Sequence, residues 1–144
     1  MLRWVQPLDP DYRVVKSALD ILASQGAILC YTSQNLGEFW NACTRPAERN
    51  GYGLSPQEAD RRARLFEARL RLLPDGLSVH QEWRRLLVAH AVSGIQVYDA
   101  RLVAAMHVNG IRQILTFNAK DFARFTHVEA RLPKDVVADE DSGQ

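Results

Sequence analysis

The chain has 144 residues, 47% of them hydrophobic and 24% charged, a balance that suits one globular domain with a real core. Lys plus Arg (18) nearly cancels Asp plus Glu (17), so no overall positive field marks a nucleic-acid binder, and any such contact falls to a local patch. No apolar run approaches the about 18 residues that span a bilayer, and MLRWVQPLDPDY lacks the apolar segment of a secretory signal, which predicts a cytoplasmic protein with no membrane contact.

Tyr12 to Gln25 places Val14, Val15, Ala18, Leu19 and Leu22 at helical spacing, and Gly26 stops that helix. Ala27 to Thr32 (AILCYT) is a nearly continuous apolar run and predicts a strand covered on both faces. Ser33 is positioned to cap a helix from Gln34 to about Thr44, ended by Arg45-Pro46, with a loop from Ala47 to Leu54. Ser55-Pro56 opens the next helix, with Glu58 three residues on in a capping-box pattern, and the periodicity carries it to about Leu72. Pro74-Asp75-Gly76 reads as a turn, Leu77 to His80 as a short extended piece, and His80 to Ala91 as an amphipathic helix. Ser93-Gly94 breaks it, Val97 to Asn109 forms a further helix closed by Gly110, and Ile111 to Thr116 is the second clear strand. Ala119 to Phe125 reads as a short helix and His127 to Ala130 as a last strand. Residues 1–137 form the expected domain, and the polar stretch 138–144 reads as a disordered tail. Strands alternating with helices predict an α/β layer structure with a mostly parallel sheet.

Glu38, Asp99 and Asp121 stand in apolar, helix-forming surroundings: SQNLGEFWNACTRP, QVYDARLVAAM and LTFNAKDF. A carboxylate held against apolar neighbours loses hydration, and carboxylates gathered at one point repel unless a cation lies between them. Hard oxygen donors of this kind suit Mg²⁺ or Mn²⁺. In open α/β sheets ligands collect at the carboxyl ends of strands, and Glu38 and Asp121 both follow such an end, with Asn118 adding an amide oxygen and Thr116 a hydroxyl. Each acid also has a plain alternative. Asp99 is a first-turn acid favoured by the helix dipole, Asp121 a turn-bonding residue, and Glu38 a surface residue.

Other chemistry is less specific. Cys30 and Cys43 lack metal spacing and read as buried thiols in a reducing compartment; the four His (His80, His90, His107 and His127) have no ligand spacing and read as surface or helix-face residues. Trp40 and Trp83 read as core aromatics. The run Arg61, Arg62, Arg64, Arg69 and Arg71 reads as a solvated face and supplies the strongest candidate for a phosphate-gripping patch.

At AILCYTSQNLGEFWNACTRP, SGIQVYDARLVAAM and ILTFNAKDF the sequence resembles a PIN domain, and specifically the VapC-type toxin ribonucleases, over roughly residues 1 to 135. The resemblance implies a three-layer fold with a mostly parallel central sheet flanked by helices. It also implies a metal-dependent endoribonuclease with Mg²⁺ or Mn²⁺ held by a quartet of acids. Glu38 matches the family's helix-borne glutamate, Asp99 the acid opening the later helix, and Asp121 the acid before Phe122; Asn118 stands where relatives carry an acid or an amide. Asp99 and Asp121 are the implied direct metal ligands. Glu38 is implied as a ligand through water or as the group that orients the nucleophile, and Thr116 and Asn118 as accessories. The implied partners are an RNA substrate, a small cognate antitoxin and a second copy of the chain.

The family's first acid belongs to an N-terminal strand directly before a Leu-Leu-Arg-like stretch. Met1-Leu2-Arg3-Trp4 resembles the end of that stretch, and this sequence shows neither the strand nor its aspartate. Two expectations follow: a start upstream of Met1, or a partial site with impaired activity. The alternative from another class is a catalytically inert PIN-like module that binds an antitoxin or itself. A small receiver or hydrolase of another family is disfavoured, since only Thr32, Ser33 and Thr116 offer a nucleophile near a strand end, and no His pairs with them in sequence.

Overall fold

The computed structural model describes residues 9–143, so the expected strand end at Leu2 to Val5 lies outside the described residues. The fold is mixed α/β and mostly helical, with short strands. Where the sequence predicts one domain over 1–137, the chain divides after Leu72 into two compact units.

In the first unit, helix α1 (Tyr12–Ser24) buries Val15 and Ala18 on one face. Its end is closed by Gly26 at φ 82, a left-handed conformation that suits glycine, with Gly26 N–H donating to Ala23 and Ala27 N–H to Leu22. Strand β1 is only Cys30–Tyr31. Beyond it Leu29 contributes its carbonyl, which accepts from Arg71 N–H (2.8 Å), and Ile28 is 69% exposed, so the run is not covered on both faces. Helix α2 (Ser33–Thr44) is capped by Thr32 rather than Ser33. Asn35 N–H donates to the Thr32 hydroxyl (3.3 Å) and Thr32 N–H donates to the Asn35 side chain (2.9 Å), a reciprocal box that meets two donors the helix itself leaves open. Helix α3 (Pro56–Glu67) is capped by Ser55, which accepts from Glu58 N–H, as the sequence predicts.

Helix α3 stops short of the predicted Leu72. The chain leaves it at Ala68 and forms β2 (Arg71–Leu72), parallel to β1 with Cys30 opposite Arg71 and Tyr31 opposite Leu72. Phe39 and Phe66 fill the core of this unit, with ring centroids 5.1 Å apart edge to face, and Tyr31 meets Phe66 the same way at 5.4 Å. Cys43, Ala59 and Ala63 close around them, and Trp40 is partly buried at the margin.

In the second unit, helix α4 (Leu77–Ala89) begins at the residues expected to be extended. It packs extensively on α5 (Val97–Val108), whose buried Ala100 and Ala104 stand one turn apart and allow close approach. Val79, Leu86, Val103, Phe122 and Phe125 form the core, and Trp83, half-buried, donates its indole N–H to the Val97 carbonyl at 2.8 Å. Strand β3 (Gln113–Leu115) runs parallel to β4 (Glu129–Arg131), and between them lies a 3₁₀ turn, Ala119–Phe122, in place of the longer helix expected there. Helix α6 (Pro133–Ser142), with Pro133 in its first turn and Val136 buried, occupies the stretch read as a disordered tail.

Both strand pairings are parallel. Among the described residues they make two separate two-stranded sheets rather than one larger sheet.

Candidate functional site

The segment following β3 is built tightly. Thr116 N–H donates to the Arg131 carbonyl (3.0 Å), extending the strand pairing by one bond, and the Thr116 hydroxyl then accepts from Asn118 N–H (3.0 Å). Asp121 N–H donates to the Asn118 carbonyl (3.1 Å), and buried Phe122 pins the turn to the core. The backbone is therefore fixed at both ends, while the side chains of Asn118 and Asp121 are exposed. This turn at the carboxyl end of a parallel strand brings Thr116, Asn118 and Asp121 together.

Asp99 belongs to the same unit, in the first turn of α5, where it is half-buried and is the acid facing the positive end of the helix dipole. Glu38 belongs to the first unit. It lies in the second turn of α2, which starts at the carboxyl end of β1, and its carboxylate accepts from the Gln34 amide one turn earlier at 2.9 Å. The core face of α2 is carried by Phe39 and Cys43, and Glu38 is exposed, as is Asp121. Apolar neighbours in sequence therefore do not desolvate Glu38 or Asp121.

The donors are hard oxygens, and among the described residues no Lys, Arg or His side chain pairs with Glu38 or Asp121. Among the described residues, no group of three or more His, Cys, Asp or Glu lies close enough together to hold a metal.

The arginines of α3 are engaged within their own unit. Arg61 and Arg62 both reach Glu58, Arg62 at 2.7 Å, and Arg64 pairs with Asp60 at 2.9 Å. Arg69 pairs with Asp20 at 3.1 Å. The guanidinium beside it, Arg62 above all, holds the Glu58 carboxyl below its ordinary range. A phosphate approaching this face competes with carboxylates already in place, which matches the reading as a solvated face.

Cys30 is half-buried and Cys43 buried, both as free thiols whose ionisation burial pushes up. Neither is poised as a nucleophile.

One polar network escapes the sequence reading. Glu82 on α4 accepts from Arg85 through both oxygens (2.7 and 2.8 Å) and lies 2.9 Å from Nδ1 of His107 on α5. Hydrogen bonding from Arg85 first, then from His107, outweighs burial and draws the Glu82 carboxyl down to about 2. The Glu82–Arg85 spacing is visible in sequence as a helical i,i+3 pair, but His107 is 25 residues further on and gives no local signal.

No family model matches the chain, and no curated protein resembles it significantly in sequence. Among the described residues, no helix is long and apolar enough to cross a membrane.

Proposed function

We propose that the chain is a metal-dependent endoribonuclease of the PIN type, close in kind to the VapC toxins, hydrolysing RNA phosphodiester bonds. The observation that carries this reading is the turn after β3, which fixes the backbone of Asn118 and Asp121 and leaves both residues exposed at the carboxyl end of a parallel strand. The start of α2 repeats the arrangement, since Glu38 follows the carboxyl end of β1, itself in a parallel pair. The reading carries with it a three-layer PIN-like fold with a mostly parallel central sheet, which goes beyond the two separate parallel pairs of the described residues.

Asp99 and Asp121 would hold Mg²⁺ or Mn²⁺, with the Asn118 amide oxygen beside them. When bound, such an ion lowers the pKa of water and balances negative charge on a phosphate. Asp121 contributes an exposed carboxylate on a fixed backbone, so its reach is set by its own rotamer. Asp99 stands half-buried on a rigid helix, a platform more exact than a loop. The resemblance gives Glu38, whose carboxylate accepts from Gln34, the role of a ligand through water or of the group that orients the nucleophile. The RNA substrate, a small antitoxin that blocks the acids, a second copy of the chain and a cytoplasmic setting complete the proposal.

The test is a cleavage assay on single-stranded and structured RNA with Mg²⁺, Mn²⁺ or EDTA. Cleavage should need the dication and fall at least a hundredfold in Asp121→Asn and Asp99→Asn, with circular dichroism unchanged. Asn keeps the shape and one carbonyl oxygen but removes the charge that holds a hard ion. Full activity in EDTA would overturn the metal reading.

A second reading is a catalytically inert PIN-like module that binds an antitoxin or itself. It is favoured by the absence, among the described residues, of a cluster of three metal-holding side chains. Absence of cleavage with every metal, together with tight binding of an antitoxin or self-association, would select it.

A further inference from the structure

The Glu82–His107 contact fixes more than a helix pair. A carboxylate accepts, so Nδ1 of His107, 2.9 Å from Glu82, is the donor in that bond, and the tautomer that carries its proton there leaves the lone pair on Nε2. Nε2 is buried and meets no hydrogen-bond donor among the described residues. Buried acceptors in folded proteins almost always have a partner, so this atom asks for one. The neighbouring imidazole is His127, exposed at the tip of the turn from Phe125 to Val128, with its ring centroid 6.2 Å from that of His107 at an interplanar angle of 67°. The Val128 N–H to Phe125 carbonyl bond (3.0 Å) and the buried Phe125 ring hold the turn in place.

We propose that His107 and His127 together form a two-imidazole site for a borderline transition-metal ion, Zn²⁺, Ni²⁺ or Cu²⁺, with Glu82 as the carboxylate behind His107. Neutral imidazole is the donor these ions favour over Mg²⁺. A carboxylate on the far nitrogen is the usual partner of a metal-bound histidine: it fixes the tautomer, orients the ring and raises its basicity. Glu82 is itself held by Arg85 through two bonds, so the orientation of His107 is set before any ion arrives. A zinc–nitrogen bond is about 2.0–2.1 Å, which puts each ring centre roughly 3 Å from the ion. The observed 6.2 Å therefore lies at the wide end of what one ion bridges, and the site requires the exposed His127 ring to turn a nitrogen toward Nε2 of His107. Water fills the remaining positions, so the site binds more weakly than a closed four-ligand zinc site. It uses none of the acids assigned to the proposed ribonuclease and stands or falls independently of that reading.

The experiment is a Zn²⁺ titration of the full chain by calorimetry, repeated with Co²⁺ by visible absorption. One ion per chain is expected. His127→Gln, on an exposed turn where folding is not at stake, should weaken binding at least tenfold. Glu82→Gln should weaken it by about 10–100-fold through loss of the supporting carboxylate. His80→Gln should leave the affinity unchanged. An absence of binding, or affinity within twofold of the parent in His127→Gln, would overturn the site. So would Zn²⁺ binding that survives His127→Gln and disappears in Asp121→Asn, because the ion would then belong to the acids.

Discussion

Replacing Phe66 with alanine tests the packing of the first unit most directly. Phe66 is fully buried, and its ring is met edge-on by Phe39 at 5.1 Å and by Tyr31 at 5.4 Å. Phe to Ala in a core costs about 3–5 kcal/mol through lost transfer free energy and the cavity left behind. Two edge-to-face contacts, each worth about 0.5–1.5 kcal/mol, place this site toward the upper half of that range. Phe66→Leu retains most of the apolar volume and loses both aromatic contacts, so about 1–2.5 kcal/mol is expected. Val88→Ala, at a residue 84% exposed, should change stability by no more than about 0.5 kcal/mol. Urea denaturation followed by far-ultraviolet circular dichroism separates these cases, provided the m-values stay constant. Since small domains are stable by only about 5–15 kcal/mol, Phe66→Ala should also raise the unfolded fraction visibly at 37 °C. A loss below about 1 kcal/mol for Phe66→Ala, or equal losses for the alanine and leucine variants, would refute the assignment of Phe66 as the centre of this core.

Gly51→Ala should lower the melting temperature sharply, because a Cβ there falls 1.9 Å from the Arg45 carbonyl oxygen and the loop backbone must move; an unchanged melt would show that the loop yields freely. For Glu82, the folded carboxyl at about 2 lies below its ordinary 4.5, so the ionised form is favoured by folding. Its stabilisation is complete above about pH 4.5 and is lost as pH falls toward 2. The full shift converts to about 3 kcal/mol, and with Arg85 60% exposed and screened, about 1–2 kcal/mol is the expected contribution. The stability gap between the parent and Glu82→Gln, measured by urea titration at each pH, should therefore close across that window, and a constant gap would contradict the assignment.

Local chemistry made much of the helical frame legible. Gly26, Pro46 and Gly110 punctuate it, Ser55 caps α3 as predicted, and α1 and α5 begin where the apolar spacing begins. The misses have separate causes. Arg69 to Leu72 carry good helix formers, yet the chain leaves the helix because Arg71 and Leu72 pair with Cys30 and Tyr31, some forty residues away, and no local pattern encodes that partner. Leu77 to His80 (Leu-Ser-Val-His) alternates apolar and polar residues over four positions, too few for periodicity to separate helix from strand. The stretch from Ala138 reads as polar, and the helix that covers it starts upstream, with Pro133 and Asp135 in its first turn.

For the candidate site, the sequence marks the acids but not their exposure. Phe39 and Trp40 beside Glu38 suggest a buried carboxylate. In a helix, however, neighbours in sequence point some 100° apart, and Phe39 turns inward while Glu38 turns out. The Glu82–His107 bond joins two helices and is invisible to any reading of one helix at a time.

The turn after β3 separates two things that proteins often bind together. Its path is set by main-chain bonds at Thr116, Asn118 and Asp121 and by the buried ring of Phe122, none of which depends on the carboxylate of Asp121. The charge at position 121 can therefore be gained, lost or exchanged in a single mutational step with little effect on folding. A lineage carrying this turn has cheap access to charged and neutral versions of the same scaffold. Selection on chemistry can then act there without first negotiating with selection on stability.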